Sequence, residues 1–323
     1  MLNKINMLNL QYIFIISIVL SNPLFADDPP YKAIITELNG SVQVKKSTQS
    51  VMKTAVWGMH LQTGDQIKTE YDAEVTILFA SNNMITLGSN SSMTITDHSI
   101  SGTKTTTVKT LDPDLSADLS ILSYKDKDDG EIVMLAGLRS GVNEKIELVS
   151  PRNTKLKTRQ PSFRWRTTGQ YEKFKISVFN ENGRLWTKET PDQFLNYPED
   201  EATLEYNRSY FWYVEGENLL DSDKTDNFSF SIIDEDKSKF LSEREKQLTS
   251  QFEGSNFYFL IGNIYEKENL YEDALTVFRK ISESHPTAPL PHRILGKIYQ
   301  RIGLKDRAIE EMETAVELTQ KQN

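Results

Sequence analysis

A spacing of 34 residues near the C-terminus constrains this chain more than any other feature: Gly262, Tyr265 and Ala274 recur as Gly296, Tyr299 and Ala308. Self-similarity at such a period marks stacked helical hairpins, because one hairpin leaves an apolar face that only a neighbour can cover. The small residues fall where two helices must approach closely. Larger apolar residues lie between them, with Tyr258, Ile261, Tyr265, Phe278 and Ile281 answered by His292, Leu295, Tyr299, Met312 and Ala315. Short turns are expected at 268–271 and 302–305. Asp273 and Asp306 then sit in the first turn of each following helix, where a negative charge meets the positive end of the helix dipole.

With Pro286 closing the first copy, the pattern resembles the tetratricopeptide repeat, which implies two helical hairpins over 255–323. The curved surfaces of such arrays generally hold other proteins. Two copies are fewer than the roughly three an array usually needs, so its open ends require a cover. Phe240, Leu241, Leu248 and Phe252 lie on one face of a connecting helix at 235–254 and are expected to dock on the first repeat. The alternative cover is another chain, as in a homodimer.

At the other end, Lys4 precedes the apolar run 12–20, followed by Ser21-Asn22-Pro23 and Leu24-Phe25-Ala26. This is the pattern of a secretory signal peptide, 1–26, cut after Ala26. The run is shorter than the ~20 residues of a membrane-spanning helix, so no stable span is expected after cleavage; a retained anchor is the alternative. The chain has no cysteine, which excludes a lipid-modified cysteine and any disulfide framework. A net charge of −9 argues against nucleic acid or an anionic membrane surface as the main partner, since both call for a basic footprint.

Residues 27–112 read as short strands. Ala73, Val75, Ile77 and Phe79 alternate with Glu74, Thr76 and Leu78, giving one apolar face. Asn82-Asn83 is a hairpin turn, and Ile85, Leu87, Met93 and Ile95 supply the return. The Gly-x-Val-x-Val opening at 40–44, the Leu-x-x-Gly-Asp-x-Ile-x-Thr centre at 61–69 and the Asn-Ser turn at 90–91 together resemble the FecR domain. Ser81-Asn82-Asn83 departs from the Asp-Gly-Ser usual there. The resemblance implies a small all-β module of bacterial envelope proteins, and with the leader it places the protein in the periplasm or cell envelope of a Gram-negative bacterium. The family's sigma-factor role depends on a cytoplasmic domain for which the residues before the apolar run leave no room, so that role is not carried over. Gly64-Asp65 reads as a turn device and Trp57 as core.

Residues 113–146 form an acidic linker or hairpin. Within it, Asp126-Lys127-Asp128-Asp129-Gly130 lacks the glycine and glutamate spacing of an EF-hand and reads as a charged turn. From 147 to 234 a second β region follows. Its signals are the Pro-x-Phe-x-Trp strand at 161–165, the alternating Phe174, Ile176 and Val178, an Asn182-Gly183 hairpin, and Tyr210, Trp212 and Val214 on one face. These resemble fibronectin type III or immunoglobulin-like sandwiches. Trp165, Trp186, Tyr210 and Trp212 are expected inside the sandwich rather than on a sugar-stacking face.

The fold class is therefore multidomain: a FecR-like all-β module, an Ig/Fn3-like sandwich and a C-terminal α-helical repeat pair. His60, His98, His285 and His292 have no metal-ligand spacing, and no phosphate loop or nucleophile elbow appears. No enzyme activity, cofactor or metal is expected. The partner-binding residues are placed on the first helix of each repeat: Phe259, Asn263 and Glu266, then Arg293, Lys297 and Gln300, at i, i+4, i+7. Asn263, Arg293 and Lys297 are suited to a carboxylate. The expected function is an exported scaffold or adaptor that holds a protein partner; the alternative is a binder of peptidoglycan or another envelope polysaccharide, with the repeats mediating self-association.

Overall fold

The computed structural model describes residues 31–96, 101–111, 145–219 and 222–322. The leader at 1–26, His98 and the charged turn at 126–130 lie outside them. Three regions follow in order: a curled sheet, a pair of sheets facing one another, and five helices.

The first sheet contains β1 (Ala33–Asn39), β2 (Val42–Lys45), β3 (Lys53–Thr54), β4 (His60–Leu61), β5 (Gln66–Thr69), β6 (Glu74–Phe79), β7 (Asn83–Thr94) and β8 (Ser101–Thr110), in the order β3-β2-β5-β7-β6-β1-β4 with β8 also on β7. The curl has a local cause. β8 runs along one edge of β7, while β6 pairs with residues 84–87 and β5 with residues 92–94 along the other. Between those halves the register shifts, and Asn90 takes a left-handed conformation (φ +51°). Such a bulge bends a strand and increases its twist. Inside the curl Ile35, Val44, Ile67, Ile77, Ile85 and Met93 are buried together. Asn82 (φ +66°) makes the β6–β7 hairpin, as expected from the tolerance of asparagine for positive φ.

β6 departs from simple alternation. Val75 and Ile77 point into the curl, whereas Leu78 is also fully buried, in a second core that includes Ile34, Trp57, Met84, Leu111 and many helical residues. The outer face of this sheet is covered by the helices.

The second region is built from β9 (Ile146–Ser150), β10 (Thr154–Leu156), β11 (Phe163–Thr167), β12 (Lys173–Asn180), β13 (Gly183–Thr190), β14 (Phe194–Leu195), β15 (Arg208–Glu217), β16 (Ser222–Lys224) and β17 (Phe228–Ile232). One sheet runs β10-β17-β15-β12-β13 with β16 on β15; the other runs β14-β11-β9. Phe163 lies at their centre, in edge contact with Trp186, Trp212 and Phe230. Trp165, Trp186, Tyr210 and Trp212 are each less than a tenth exposed and belong to this core. The turn before β15 is made by Asn207 at φ +54°.

The helices are α1 (Glu235–Gln251), α2 (Gly254–Lys267), α3 (Tyr271–Ser284), α4 (Pro289–Ile302) and α5 (Lys305–Gln322). The 34-residue repeat falls on α2–α3 and α4–α5, and its turns contain Asn269 (φ +60°) and Gly303 (φ +83°). The repeated spacing of small residues has a steric basis. A methyl group on Gly262 would come within 2.9 Å of Phe278 and Val277, and one on Gly296 within 2.9 Å of Met312. α1 precedes the repeats and buries Leu241 and Leu248 in the same core, while Phe240 is exposed and lies beneath the cations of Lys237 and Arg244.

Candidate functional site

The repeat pair is the point at which the other two regions meet. Against the curled sheet the contact is mainly apolar. Trp57, 1% exposed, meets Phe259 of α2 edge-on at 5.5 Å and stacks with His285 at 5.8 Å, while its indole N–H donates to the Thr36 carbonyl at 2.7 Å. Gly58 lies against Leu290 of α4, so closely that a Cβ would approach to 2.8 Å, and its φ of +76° also suits glycine. Polar contacts cross this seam too: Lys53 and Lys109 donate to the carbonyls of Gln322 (3.2 Å) and Gln251 (3.0 Å), and the Glu37 carboxylate accepts from the backbone N–H of Ser255 (2.9 Å) and Asn256 (3.2 Å). The amides of Ser255 and Asn256 open α2, whose own N-cap residue, Glu253, makes no side-chain cap. A carboxylate from the first region therefore caps a helix of the third, at the end where the dipole favours it. Burial nonetheless holds Glu37 above the usual carboxylate range.

Against the sandwich the contact is polar. Arg152, only 7% exposed, donates through Nε to the Ile302 carbonyl (2.9 Å) and through Nη2 to the Gly303 carbonyl (3.1 Å), while Nη1 returns to Leu148 (2.9 Å). Ile302 ends α4, so the guanidinium satisfies orphan carbonyls at a helix C-terminus, where a cation is favoured. The Thr154 hydroxyl accepts from the Tyr271 N–H at 3.0 Å, the first residue of α3, whose N-cap Leu270 provides no side-chain cap. Ser150 donates to Glu272, and Lys157 bridges Glu245, Asp273 and the Tyr265 hydroxyl at 2.7, 3.2 and 3.0 Å. Burial pushes the Glu272 carboxyl up to about 7, the neighbouring Asp273 charge adding to the effect while Ser150, Arg164 and Arg279 oppose it. Asp273 is also raised by burial, against the pull of Lys157.

The six expected groove residues have different surroundings. Phe259 is fully buried against Trp57. Asn263 donates to the Phe259 carbonyl of its own helix (2.6 Å), and Glu266 pairs with Arg301. Arg293 donates to the Thr319 hydroxyl at 3.0 Å, Lys297 is half-buried and Gln300 is exposed. Of the six, Arg293 lines a cleft of about 490 Å³ between the curled sheet and the last two helices. Lys46 and Lys53 enter the same cleft from the sheet, over a floor of Trp57 and Leu290, and no carboxylate is among its lining residues. These two lysines were not among the residues singled out from the sequence. Nothing local marks them, because more than 200 positions separate them from Arg293.

The tetratricopeptide repeat family matches residues 255–286 and 294–322. The chain ends in tetratricopeptide repeats. No curated protein matches the chain. A solved cell surface anchoring domain is similar at 27% identity, over 21% of this chain and 87% of that one, with a TM-score of 0.20.

Among the described residues no group of side chains is arranged to hold a metal ion, and no helix is long and apolar enough to cross a membrane. His285 Nε2 lies 2.6 Å from the Ser255 hydroxyl, a contact that could serve nucleophile activation. Ser255, however, is 4% exposed and sealed into the seam beside Trp57, and burial holds His285 below its usual pKa. This pair ties α2 to the end of α3, with His285 stacked on Trp57 of the curled sheet. Asp65 is similarly structural: 1% exposed, it accepts from the N–H groups of Ser47 (2.8 Å) and Gln62 (3.0 Å) and from Lys46 (2.9 Å). His292, where the repeat usually has an aromatic, bonds to Glu311 of α5 at 2.7 Å.

Proposed function

We propose that this protein is a non-enzymatic scaffold of a bacterial cell envelope, exported behind its leader, which holds a protein partner on its second repeat. In this reading the curled sheet is a FecR-like module and the sandwich an Ig/Fn3-like module. The observation that carries it is the division of labour along the repeat helices. On α2, Phe259 is taken up by the chain's own Trp57. On α4, Arg293, Lys297 and Gln300 stand one turn apart along a helix that borders the cleft. Repeats of this family suggest protein partners, and α4 is the first helix of a repeat that sets three polar side chains along one face beside the cleft.

Crosslinking of the native protein in its envelope, with identification of what is captured, tests the reading. Arg293→Ala with Lys297→Ala is expected to remove at least one captured protein while leaving the melting curve within a degree or two of wild type. An unchanged set of captured proteins rules out the α4 face as the binding surface.

A further inference from the structure

A different surface, independent of the repeat-face reading, has features of a ligand site. The outer face of the six-stranded sheet is divided into two halves. One half is a ladder of opposite charges, in which Lys173 and Lys175 lie 3.0–3.8 Å from Glu189 and Glu217, and Lys224 lies 3.3 Å from Glu215. Such ladders are ordinary solvated surface. The other half carries no acid. There the strand register sets Phe179 beside Phe211 and Phe211 beside Ser229 in one row, and Ser209 beside Ser231 and Ser231 beside Lys155 in the next.

Serine is an unusual choice at these positions, because exposed strand sites favour branched or aromatic side chains that cover the backbone. Here small side chains leave a trough of about 600 Å³, closed at one end by Asn269, Tyr271 and Arg301 of the repeats. Next to the trough, beside Ser229 on the neighbouring strand, Phe211, 37% exposed, stacks with Phe179 at 5.7 Å and an interplanar angle of 21°. The rows cross β12, β15, β17 and β10, about 15 Å at three inter-strand spacings.

We propose that this trough binds a saccharide chain. Aromatic rings offer apolar faces to the C–H side of sugar rings, while the serine hydroxyls and asparagine amides match a ligand whose own groups both donate and accept. The elongated, shallow form suits a chain of several rings rather than a single compact molecule.

The test uses the full chain against soluble hexasaccharides of glucose and of N-acetylglucosamine, by calorimetry, and against insoluble cell-wall sacculi, by sedimentation. Binding to at least one probe is expected. Phe211→Ala should weaken it about tenfold, the scale of one aromatic contact. Ser231→Tyr, which fills the trough on a sheet face that tolerates tyrosine, should abolish it. Lys175→Ala on the charged half should leave it unchanged. Absence of binding to all three probes overturns the proposal, as does binding that Phe211→Ala and Ser231→Tyr leave intact. Failure here does not touch the α4 reading, which is read out by captured proteins and by Arg293 and Lys297.

Discussion

The two seams around the repeats use different physics. The seam with the curled sheet buries Trp57, Phe259, Leu290, Ile34 and Leu78, so its strength scales with area removed from water and is indifferent to small changes of angle. The seam with the sandwich is made of directed bonds from Arg152, Thr154 and Lys157 to helix ends and first turns, which fix orientation but add little net stability per bond. The difference teaches that one seam holds and the other aims. A short array that cannot cover its own ends has one face covered by each kind.

The sharpest way to break this contrast is Trp57→Ala, which is expected to cost about 3–5 kcal/mol, the range for a buried large aromatic. Chemical denaturation would measure the loss, and hydrogen exchange should show α2 and the β6–β7 hairpin losing protection together. Arg152→Met comes next, at about 2–4 kcal/mol, because the carbonyls of Ile302 and Gly303 lose a buried charged donor. Here protection should fall at the α4–α5 turn and hold around Trp57; a uniform loss would show that the two seams are one cooperative unit.

The sandwich seam also responds to acidity. Glu272 titrates at about 7 in the folded chain against an ordinary value of 4.5. The folded state therefore keeps its proton to higher pH than the unfolded one, and the contribution of this group is complete below about 4.5 and lost as pH rises through 7. Thermal melting should show stability falling over that interval by at most about 3 kcal/mol, less to the extent that water reaches the side chain. Glu272→Gln should flatten the profile, and a slope unchanged by that substitution would assign the effect to other groups, Asp273 first. The smallest expected effect is Glu37→Gln. The amide oxygen still accepts from Ser255 and Asn256, and because burial disfavours the Glu37 charge that the helix terminus favours, the two effects oppose and denaturation should show a change below about 1 kcal/mol.

The sequence revealed the parts of this arrangement that depend on local spacing. The repeat, its turns at Asn269 and Gly303, the β6–β7 hairpin at Asn82 and the interior positions of Trp165, Trp186, Tyr210 and Trp212 were all legible. Leu78 was not, since alternation identifies one buried face but cannot say whether the other meets water or a helix. Trp57 was readable as core, though not as the core of a junction. The caps supplied from other regions left a faint trace: Leu270 at an N-cap position is a poor choice, and a helix that lacks its own cap invites a search for one elsewhere. The cleft joining Lys53 to Arg293, and the serine trough bounded by Tyr271, needed the tertiary structure because their parts lie far apart in the chain.

The outer face of the curled sheet has a consequence for how the chain comes to be folded. Ile34, Leu78, Met84 and Leu111 precede the helices that cover them by well over a hundred residues. A chain that emerges from its N-terminus, whether from a ribosome or across a membrane, completes this greasy surface before its lid arrives. During that interval it is a target for aggregation or for a holding chaperone, and a chain truncated before α2 would keep it exposed for good.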